Sequence, residues 1–422
     1  MDKFRIIIKH PFELLLIVVV TLSIFLPNLP LGSSDFMTDF ILLYALCIPI
    51  LICQCIRKSS HIVLKWFALL TFFHLISTFW GYMGLGVFFH EGDFWTFVNE
   101  IKYLMIICIG SLCSFDVITR CLDRFISIGS IAIIAISFLE FINPFGIASI
   151  LGNYYSSDLH IQSMTVLSNR IVVTGSDPNI GACIIAFFLL YRFCSYLHKN
   201  RSLNNLIICL LLLVSLLMTS SRTVLAGTVA SMMIFILRHK EIKKSSKIII
   251  VIFFAATIVL LLPHFVYLTE GFSSFLSEEG NSSFNKRLLV WTYFFEMIKE
   301  SPLFGWGVAE SIIDGQPVDG EYILTLFRYG IASLSLYLFI NIKLIFFPKE
   351  KNLNGPLKFY KDYLTLLFIT SLFVMLTNNF YSGKQLFQFY IAVLSVFYSG
   401  LYTLQHNTAY EKNDIPCPAS VK

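Results

Sequence analysis

Charged residues are scarce in this sequence of 422 residues, because Asp, Glu, Lys and Arg together make up only 14% of it. Ordinary soluble domains carry about 25% charged residues, so this deficit excludes an average globular protein. Hydrophobic residues account for 56% of the chain, and the mean hydropathy is strongly positive. The composition therefore predicts a polytopic membrane protein.

The sequence also lacks the signals of several other protein classes. It has no phosphate-binding loop of the form G-x-x-x-x-G-K-[ST], no low-complexity tract and no repeat with a period of about 20–50 residues. None of the ten cysteines falls in a predicted long outer loop, so a disulfide framework is not supported. The first apolar run is longer than a signal-peptide core and no small-residue cleavage pattern follows it, so we expect it to remain as a span.

Apolar runs long enough to cross about 30 Å of hydrocarbon, which takes about 20 helical residues, recur along the whole chain. They predict an all-α polytopic membrane protein with about twelve transmembrane helices, forming one integral membrane domain over residues 1–422. The predicted spans are 12–31, 38–56, 62–80, 98–114, 125–143, 179–197, 204–220, 222–237, 248–268, 321–346, 360–379 and 386–404.

Lysine and arginine predict the orientation, because cytoplasmic flanks hold the excess of positive charge. With both termini in the cytoplasm, 23 of the 31 Lys and Arg residues fall on the cytoplasmic side, and the reversed orientation would invert this bias. The net charge of +5 is therefore explained by topology and gives no argument for a nucleic-acid partner. The cations left outside are Lys102, Arg170, Arg222, Lys286, Arg287, Lys299, Arg328 and Lys384.

Two long loops, 144–178 and 269–320, are predicted on the outer side, and long ordered loops tend to carry function. The second loop contains an amphipathic helical pattern that ends at Ser301-Pro302. Its apolar face consists of Leu288, Trp291, Phe295 and Ile298. We expect this helix to lie at the membrane surface with its aromatic side chains at the headgroup level, as a structural anchor or as part of a binding site.

Arg222 stands between two unusually short spans. The stretch 204–218 has about 15 residues, only ~22 Å of helix, so the turn T-S-S-R-T should lie at or below the outer headgroup level. An arginine at that depth usually faces a partner or a watery cavity, which makes it a functional candidate. The alternative is that Arg222 extends to the outer interface. Gly305 and Gly307 in G-W-G predict a tight turn.

Three outer arginines and one group of carboxylates lie in distinctive local patterns. The patterns are Arg170 in RIVVTGSDPNIGA, Arg222 in TSSRTVLAG, Arg287 in KRLLVWTYFFEMIKESPLFGWG, and Asp319, Glu321 and Tyr322 in DGEYILTLFRYG. A planar guanidinium binds phosphate bidentately and stays charged at any depth, so converging arginines suit a lipid pyrophosphate. In this order and topology, the patterns resemble those of the bacterial O-antigen ligase and O-antigen polymerase superfamily over residues 170–330.

The resemblance implies a GT-C-like glycosyltransferase architecture in the bacterial inner membrane, with the active site facing the periplasm. It implies transfer of a glycan from undecaprenyl pyrophosphate in lipopolysaccharide biosynthesis, with no cofactor and no metal. The implied partners are undecaprenyl-pyrophosphate-linked oligosaccharide and polysaccharide, membrane lipids and a chain-length regulator.

The resemblance also assigns roles to the arginines and carboxylates. Arg222 and Arg287 are the expected pyrophosphate ligands, and Arg170 is a third ligand or positions the acceptor. Asp319 is the expected general base and Glu321 its alternative. A capping or loop-solvating role at a helix start is the other interpretation of both carboxylates.

Two further substrate-binding residues are predicted, Asn179 and Tyr322. Asn179 belongs to Asp177-Pro178-Asn179, whose pattern is also that of a helix N-cap. His74, His90, His160 and His264 lack a spacing that would join them into a metal or nucleophile site, so we expect structural roles for them.

The polymerase branch is favoured at one position. The ligase pattern carries a histidine where this chain has Asp319, and no histidine occurs in 269–320. The superfamily's usual E-x-G is replaced by Arg328-Tyr329-Gly330. The alternatives are a ligase that joins the glycan to lipid A core, a polymerase of capsule or exopolysaccharide, and a lipid-linked oligosaccharide flippase. Transporters bind at the midplane, often between paired repeats, whereas the unusual charge here lies at the outer face.

Overall fold

The computed structural model describes residues 10–26, 28–31, 34–37, 62–155, 170–199, 202–238, 248, 252, 282–313, 318–348, 353–381 and 384–413. Over these residues the protein is all-helical apart from one short hairpin, and its helices are numbered here in chain order. They are α1 (Pro11–Phe25), α2 (Ile62–Gly84), α3 (Glu91–Leu112), α4 (Phe115–Ile142), α5 (Ile147–Tyr155), α6 (Pro178–His198), α7 (Leu203–Met218), α8 (Arg222–Arg238), α9 (Ser282–Glu300), α10 (Glu310–Ile313), α11 (Glu321–Phe346), α12 (Gly355–Val374) and α13 (Lys384–Asn413).

The first helix is shorter than the predicted span 12–31, because α1 ends at Phe25. Residues Asn28–Leu31 instead form strand β1, which pairs antiparallel with β2 at Ser34–Met37. Leu26 precedes Pro27 in the sequence, and proline disfavours the α-helical conformation of the residue before it; Leu26 has φ −138° and ψ 64°. The prediction of a helix through residue 31 is therefore wrong.

Six helices are long and apolar enough to cross a membrane: α2, α3, α4, α6, α11 and residues Gln385–Leu404 of α13. Helices α1 and α7 are shorter apolar helices. The predicted spans 38–56 and 248–268 lie outside the described residues, apart from positions 248 and 252. The chain is an all-α polytopic membrane protein, and the total of twelve spans stays a prediction.

The centre of the bundle is formed by α6 and α13. Every residue of α6 from Gly181 to Cys194 is buried, and so is every residue of α13 from Gln385 to Phe397. A helix that is apolar on all faces is expected to be surrounded by other helices, which agrees with this position. Helix α6 packs against α7, α8 and α12, while α13 packs mainly against α3.

Helix α9 lies where the amphipathic pattern predicts a helix, but its buried face differs in part from the predicted one. Phe294 and Ile298 are buried, and the Phe294 ring packs on Phe327 of α11 with centroids 4.7 Å apart. The predicted members Leu288 and Phe295 are exposed. One side of α9 is thus packed on protein and the opposite side is exposed, and its position at the membrane surface stays a prediction.

Helix α11 is broken at Gly330, which adopts φ 69° and ψ −178°. The segment 301–307 supplies hydrogen-bond partners to the backbone on both sides of the break. Backbone N–H groups of Trp306 and Gly307 donate to the carbonyls of Phe327 and Arg328. Those of Ile331 and Ala332 donate to Pro302 and Leu303.

The predicted tight turn at Gly-Trp-Gly is confirmed by φ values of 70° at Gly305 and 79° at Gly307. The turn also supplies hydrogen-bond partners to the backbone at the break in α11. It inserts between α2 and the break in α11. At Gly81 of α2 an added Cβ would lie 2.1 Å from the Trp306 carbonyl oxygen, so only glycine permits this approach.

Candidate functional site

Four helix ends meet at one end of the bundle, and they carry most of the predicted site residues. The Ser221 hydroxyl donates to Oδ1 of Asn179 over 2.8 Å, which joins the starts of α6 and α8. The Thr223 and Thr377 hydroxyls lie 2.6 Å apart, which joins α8 to the end of α12. The backbone N–H of Glu321 donates to the carbonyl of Asn378 over 3.3 Å, so α11 begins at the same place.

Arg287 and Asp319 form an ion pair that docks α9 onto the start of α11. Nε of Arg287 donates to Oδ2 of Asp319 over 2.9 Å. The Asp319 side chain remains about half exposed (52%) and that of Arg287 about one quarter exposed (26%). Trp291, one turn along α9, donates its indole N–H to the Asp319 carbonyl over 2.7 Å. The two residues proposed for different chemical roles are therefore in direct contact.

Arg170 is buried and held by backbone groups. Its Nε donates to the carbonyl of Thr219 over 3.0 Å, three residues before Arg222. The loop that carries Arg170 is fixed by Glu140 of α4, whose carboxylate accepts the N–H groups of Val172 and Val173 over 2.8 Å each. Glu140 was missed by the sequence analysis. The signal available was an isolated carboxylate near the outer end of the predicted span 125–143.

Asp177 confirms the predicted N-cap of α6, since its Oδ1 accepts the N–H groups of Asn179 and Ile180 over 2.6 and 3.1 Å. Burial raises the pKa of the Asp177 carboxyl above its ordinary value. These two N–H groups and the Arg170 charge oppose the rise, whereas the Asp319 charge adds to it. Asp177 thus lies within electrostatic range of both Arg170 and Asp319, which connects the two parts of the site.

Arg222 is the first residue of α8 and is half-buried, and it follows the buried turn Thr219–Ser221 directly. Helices α7 and α8 have 16 and 17 residues, so the predicted shortness of the flanking spans is confirmed. We call Arg170, Arg222 and Arg287 the arginine cluster. They share one end of the bundle with three carboxylates, those of Asp177, Asp319 and Glu321.

The two candidate bases differ in their surroundings. Glu321 is only 2% exposed and its Oε1 accepts the Thr325 hydroxyl over 3.2 Å, whereas Asp319 is open to solvent. Tyr322 donates its hydroxyl to the carbonyl of Leu372 over 3.0 Å, so that hydroxyl is engaged with α12. A substrate contact from Tyr322 would require this bond to be exchanged.

Arg328 lies two turns after Glu321 on the same face of α11 and forms a close ion pair with Glu310 of α10. Arg328 is buried, and its Nε has no hydrogen-bond partner among the described residues. Glu310 is itself tied to α3, because its backbone N–H donates to Oδ1 of Asp93 over 2.9 Å. Arg328 thus couples α10 to α11 beside the break.

Residues 207–338 match the model of a protein family described as O-antigen ligase. The matched region runs from α7 to α11 and contains Arg222, Arg287, Asp319 and Glu321. Arg170 and Asn179 precede it. The comparison with curated proteins finds no match to the chain.

Proposed function

We propose that this chain is a member of the O-antigen ligase and polymerase superfamily and, within it, an O-antigen polymerase. The family match points to a ligase- or polymerase-type enzyme of lipopolysaccharide synthesis that acts on lipid-linked oligosaccharides. In the proposed reaction the growing glycan leaves undecaprenyl pyrophosphate. Its reducing-end sugar is joined to the non-reducing end of a new repeat unit that is itself linked to undecaprenyl pyrophosphate.

The proposed transfer forms one bond at the anomeric carbon of the donor and breaks one there, with the movement of one proton. The hydroxyl oxygen of the acceptor sugar bonds to the anomeric carbon of the donor, and the bond between that carbon and the pyrophosphate oxygen breaks. Undecaprenyl pyrophosphate leaves with the electron pair, and the proton of the hydroxyl passes to a base. The reaction therefore needs cations beside the leaving group and a carboxylate beside the attacking hydroxyl.

The observation that carries the proposal is the Arg287–Asp319 pair at the same end of the bundle as Arg170 and Arg222. The ion pair uses Nε of Arg287, so the two terminal guanidinium nitrogens are the donors that Arg287 offers to phosphate. A fork of this kind binds phosphate oxygens bidentately. With arginines in this role, the proposed transfer requires no metal.

Asp319 is the base that we favour, with Glu321 as the alternative. Oδ2 of Asp319 accepts from Arg287, which leaves Oδ1 for the proton of the acceptor hydroxyl. An exposed carboxylate can meet a sugar that arrives from the aqueous side, whereas the Glu321 side chain is buried. The neighbouring Arg287 would hold the carboxylate in place while the proton is transferred.

A ligase is the second candidate, because the matching family is described as O-antigen ligase. The carboxylate at position 319, in place of the histidine of the ligase pattern, is the reason for preferring a polymerase. The proposed site faces the periplasm of the bacterial inner membrane, as the predicted topology requires.

The test is the lipopolysaccharide banding of a strain that lacks this protein, complemented with the wild type or with Arg287→Ala. A single repeat unit on the core in the deletion strain, restored to long chains by the wild type only, supports a polymerase. Unsubstituted core with accumulated lipid-linked polymer would identify a ligase. Absence of lipid-linked glycan on the periplasmic side would identify a flippase.

A further inference from the structure

His74 lies in the middle of α2 and forms a buried polar chain with residues from two other helices. Its Nδ1 is 2.6 Å from Oε1 of Glu100 on α3, and its Nε2 is 2.7 Å from Oγ of Ser333 on α11. All three side chains are almost fully buried, with 1%, 3% and 0% exposure. The imidazole also stacks on the Tyr329 ring, with centroids 3.7 Å apart and planes at 11°.

Ionisable side chains in a membrane-spanning helix are costly, so they are usually kept for a function. Nδ1 of His74 and Oε1 of Glu100 are within hydrogen-bond distance, and the direction of that bond follows from the tautomer of the ring. The other carboxylate oxygen, Oε2 of Glu100, has no hydrogen-bond partner among the described residues. Packing alone does not require this arrangement, since an apolar trio of similar volume would fill the same space.

The order Glu100, His74, Ser333 has the contacts of an orienting carboxylate, a base and a nucleophile. A nucleophilic role fails on burial, because Ser333 is 0% exposed and the imidazole is covered by Tyr329 on one face. Tyr381 approaches the ring edge-on, with centroids 5.8 Å apart. No substrate can reach the Ser333 hydroxyl in this packing.

His74 contacts α11 on both sides of the break at Gly330. Tyr329 immediately precedes Gly330 and belongs to the outer half of α11, which begins at Glu321 and carries Arg328. Ser333 follows the break and belongs to the inner half. One imidazole therefore stacks on the outer half and hydrogen-bonds the inner half, and Glu100 fixes the orientation of the ring.

We infer that His74 is a positioning residue for glycan transfer, which bridges the break in α11 and sets the position of the outer half that begins at Glu321 beside Asp319. The inference rests on the proposed function only for its effect on the rate. The bridge itself is a statement about the conformation of α11 and is testable without activity.

The conformational test uses 5-fluorotryptophan and ¹⁹F NMR of the full-length protein in nanodiscs. Trp306 is the reporter, because its backbone N–H bonds the Phe327 carbonyl at the break. Trp66 lies two turns from His74 along α2 and serves as the reference. We expect His74→Ala to shift or broaden the Trp306 resonance and leave Trp66 unchanged, and Glu100→Gln to give a smaller effect in the same direction.

Ser77→Ala is the matched control. Ser77 lies on α2 close to His74, is buried, and its hydroxyl has no hydrogen-bond partner among the described residues. Its removal should leave the Trp306 resonance at the wild-type position. An unchanged Trp306 resonance in His74→Ala would overturn the bridge.

The kinetic test measures kcat and KM for lipid-linked donor per molecule of folded protein. Misplacement of a site by about 1 Å costs up to about 100-fold in rate, so we expect kcat of His74→Ala to fall about 10- to 100-fold with little change in KM. A rise in KM at constant kcat, or a loss of folded protein at constant kcat, would reject the positioning role. If His74→Ala shifts the Trp306 resonance but the wild-type protein does not polymerise lipid-linked repeat units, the proposed function is rejected and the bridge is supported.

Discussion

Arg287 has two tasks in the proposed site, because one guanidinium both holds Asp319 and offers donors to phosphate. We predict that Arg287→Ala lowers the rate of chain extension in proteoliposomes by at least about 100-fold, since a preorganised donor beside the leaving group is lost. Arg287→Lys should restore only part of the rate, because lysine keeps the charge without the planar fork.

Lys299→Ala is the control for this series. Lys299 is on the same helix, is exposed, and pairs with Glu296 over 2.6 Å away from the site. Its substitution should leave the rate of extension near wild type. Equal rates for Arg287→Ala and Lys299→Ala would remove Arg287 from the site.

Asp319 can be separated from its neighbour Glu321 by isosteric amides. If Asp319 is the base, Asp319→Asn should lose about 10²–10⁴-fold in rate with little change in donor binding, because the amide keeps the shape and loses the basicity. Glu321→Gln should have the smaller effect. Rates and donor affinity in the reconstituted system decide the assignment, and an inactive Glu321→Gln beside an active Asp319→Asn would reverse it.

Among the elements, the broken helix α11 makes the sharpest prediction about stability. A Cβ at Gly330 would lie 2.2 Å from the Leu303 carbonyl oxygen, and the residue has φ 69°. Gly330→Ala should therefore lower the thermal unfolding temperature, since strain at such a backbone position alone costs about 1–3 kcal/mol. Scanning fluorimetry in detergent measures this.

Gly355→Ala is the companion variant, because an added Cβ there meets nothing within 4 Å. Its unfolding temperature should match the wild type. If Gly330→Ala unfolds at the same temperature as Gly355→Ala, the segment 301–307 does not hold the break as closely as described.

Helices were predictable from the sequence where apolar runs are long, but their interruptions were not. Helices α2, α6 and α11 lie on predicted spans, because burial in a membrane demands an apolar side-chain pattern that is visible locally. The break at Gly330 was not predicted, since F-R-Y-G-I-A-S continues the apolar pattern and a single glycine is tolerated in a helix. Its partner backbone lies about 25 residues earlier, where no periodicity points to it.

For the whole molecule, the charge distribution predicts which loops face the cytoplasm. Single cysteines at Asn285 on α9, which is exposed, and at Ser245 in R-H-K-E-I-K-K-S-S-K test this in a cysteine-free background. We expect a membrane-impermeant maleimide added to intact spheroplasts to label Asn285→Cys and leave Ser245→Cys unlabelled until the cells are lysed, because the second segment is rich in cytoplasmic cations. The opposite pattern would invert the topology and place the arginine cluster on the cytoplasmic side.

The composition of the site was more predictable than its internal geometry. Arg170, Asn179, Arg222, Arg287, Asp319 and Glu321 were selected from the sequence, and the structure brings them to one end of the bundle. Their substrate roles stay predictions. The ion pair between Arg287 and Asp319, the support of the Arg170 loop by Glu140, and the partners of His74 were missed. These contacts join residues 26 to 259 positions apart, and only the packing of separate helices creates them.

The segment 301–307 also bears on how the protein is made. The ribosome completes this segment before α11, so the carbonyls and N–H groups that match the break are already present when the broken helix leaves the translocon. Backbone groups left unsatisfied in lipid cost several kcal/mol each, and a broken helix inserted alone would carry that cost. Helix α11 should therefore enter the bilayer as one insertion unit with the loop that precedes it. A reporter fused after α11 should stay in the cytoplasm in the wild type and be translocated in part when 301–307 is replaced by a flexible linker.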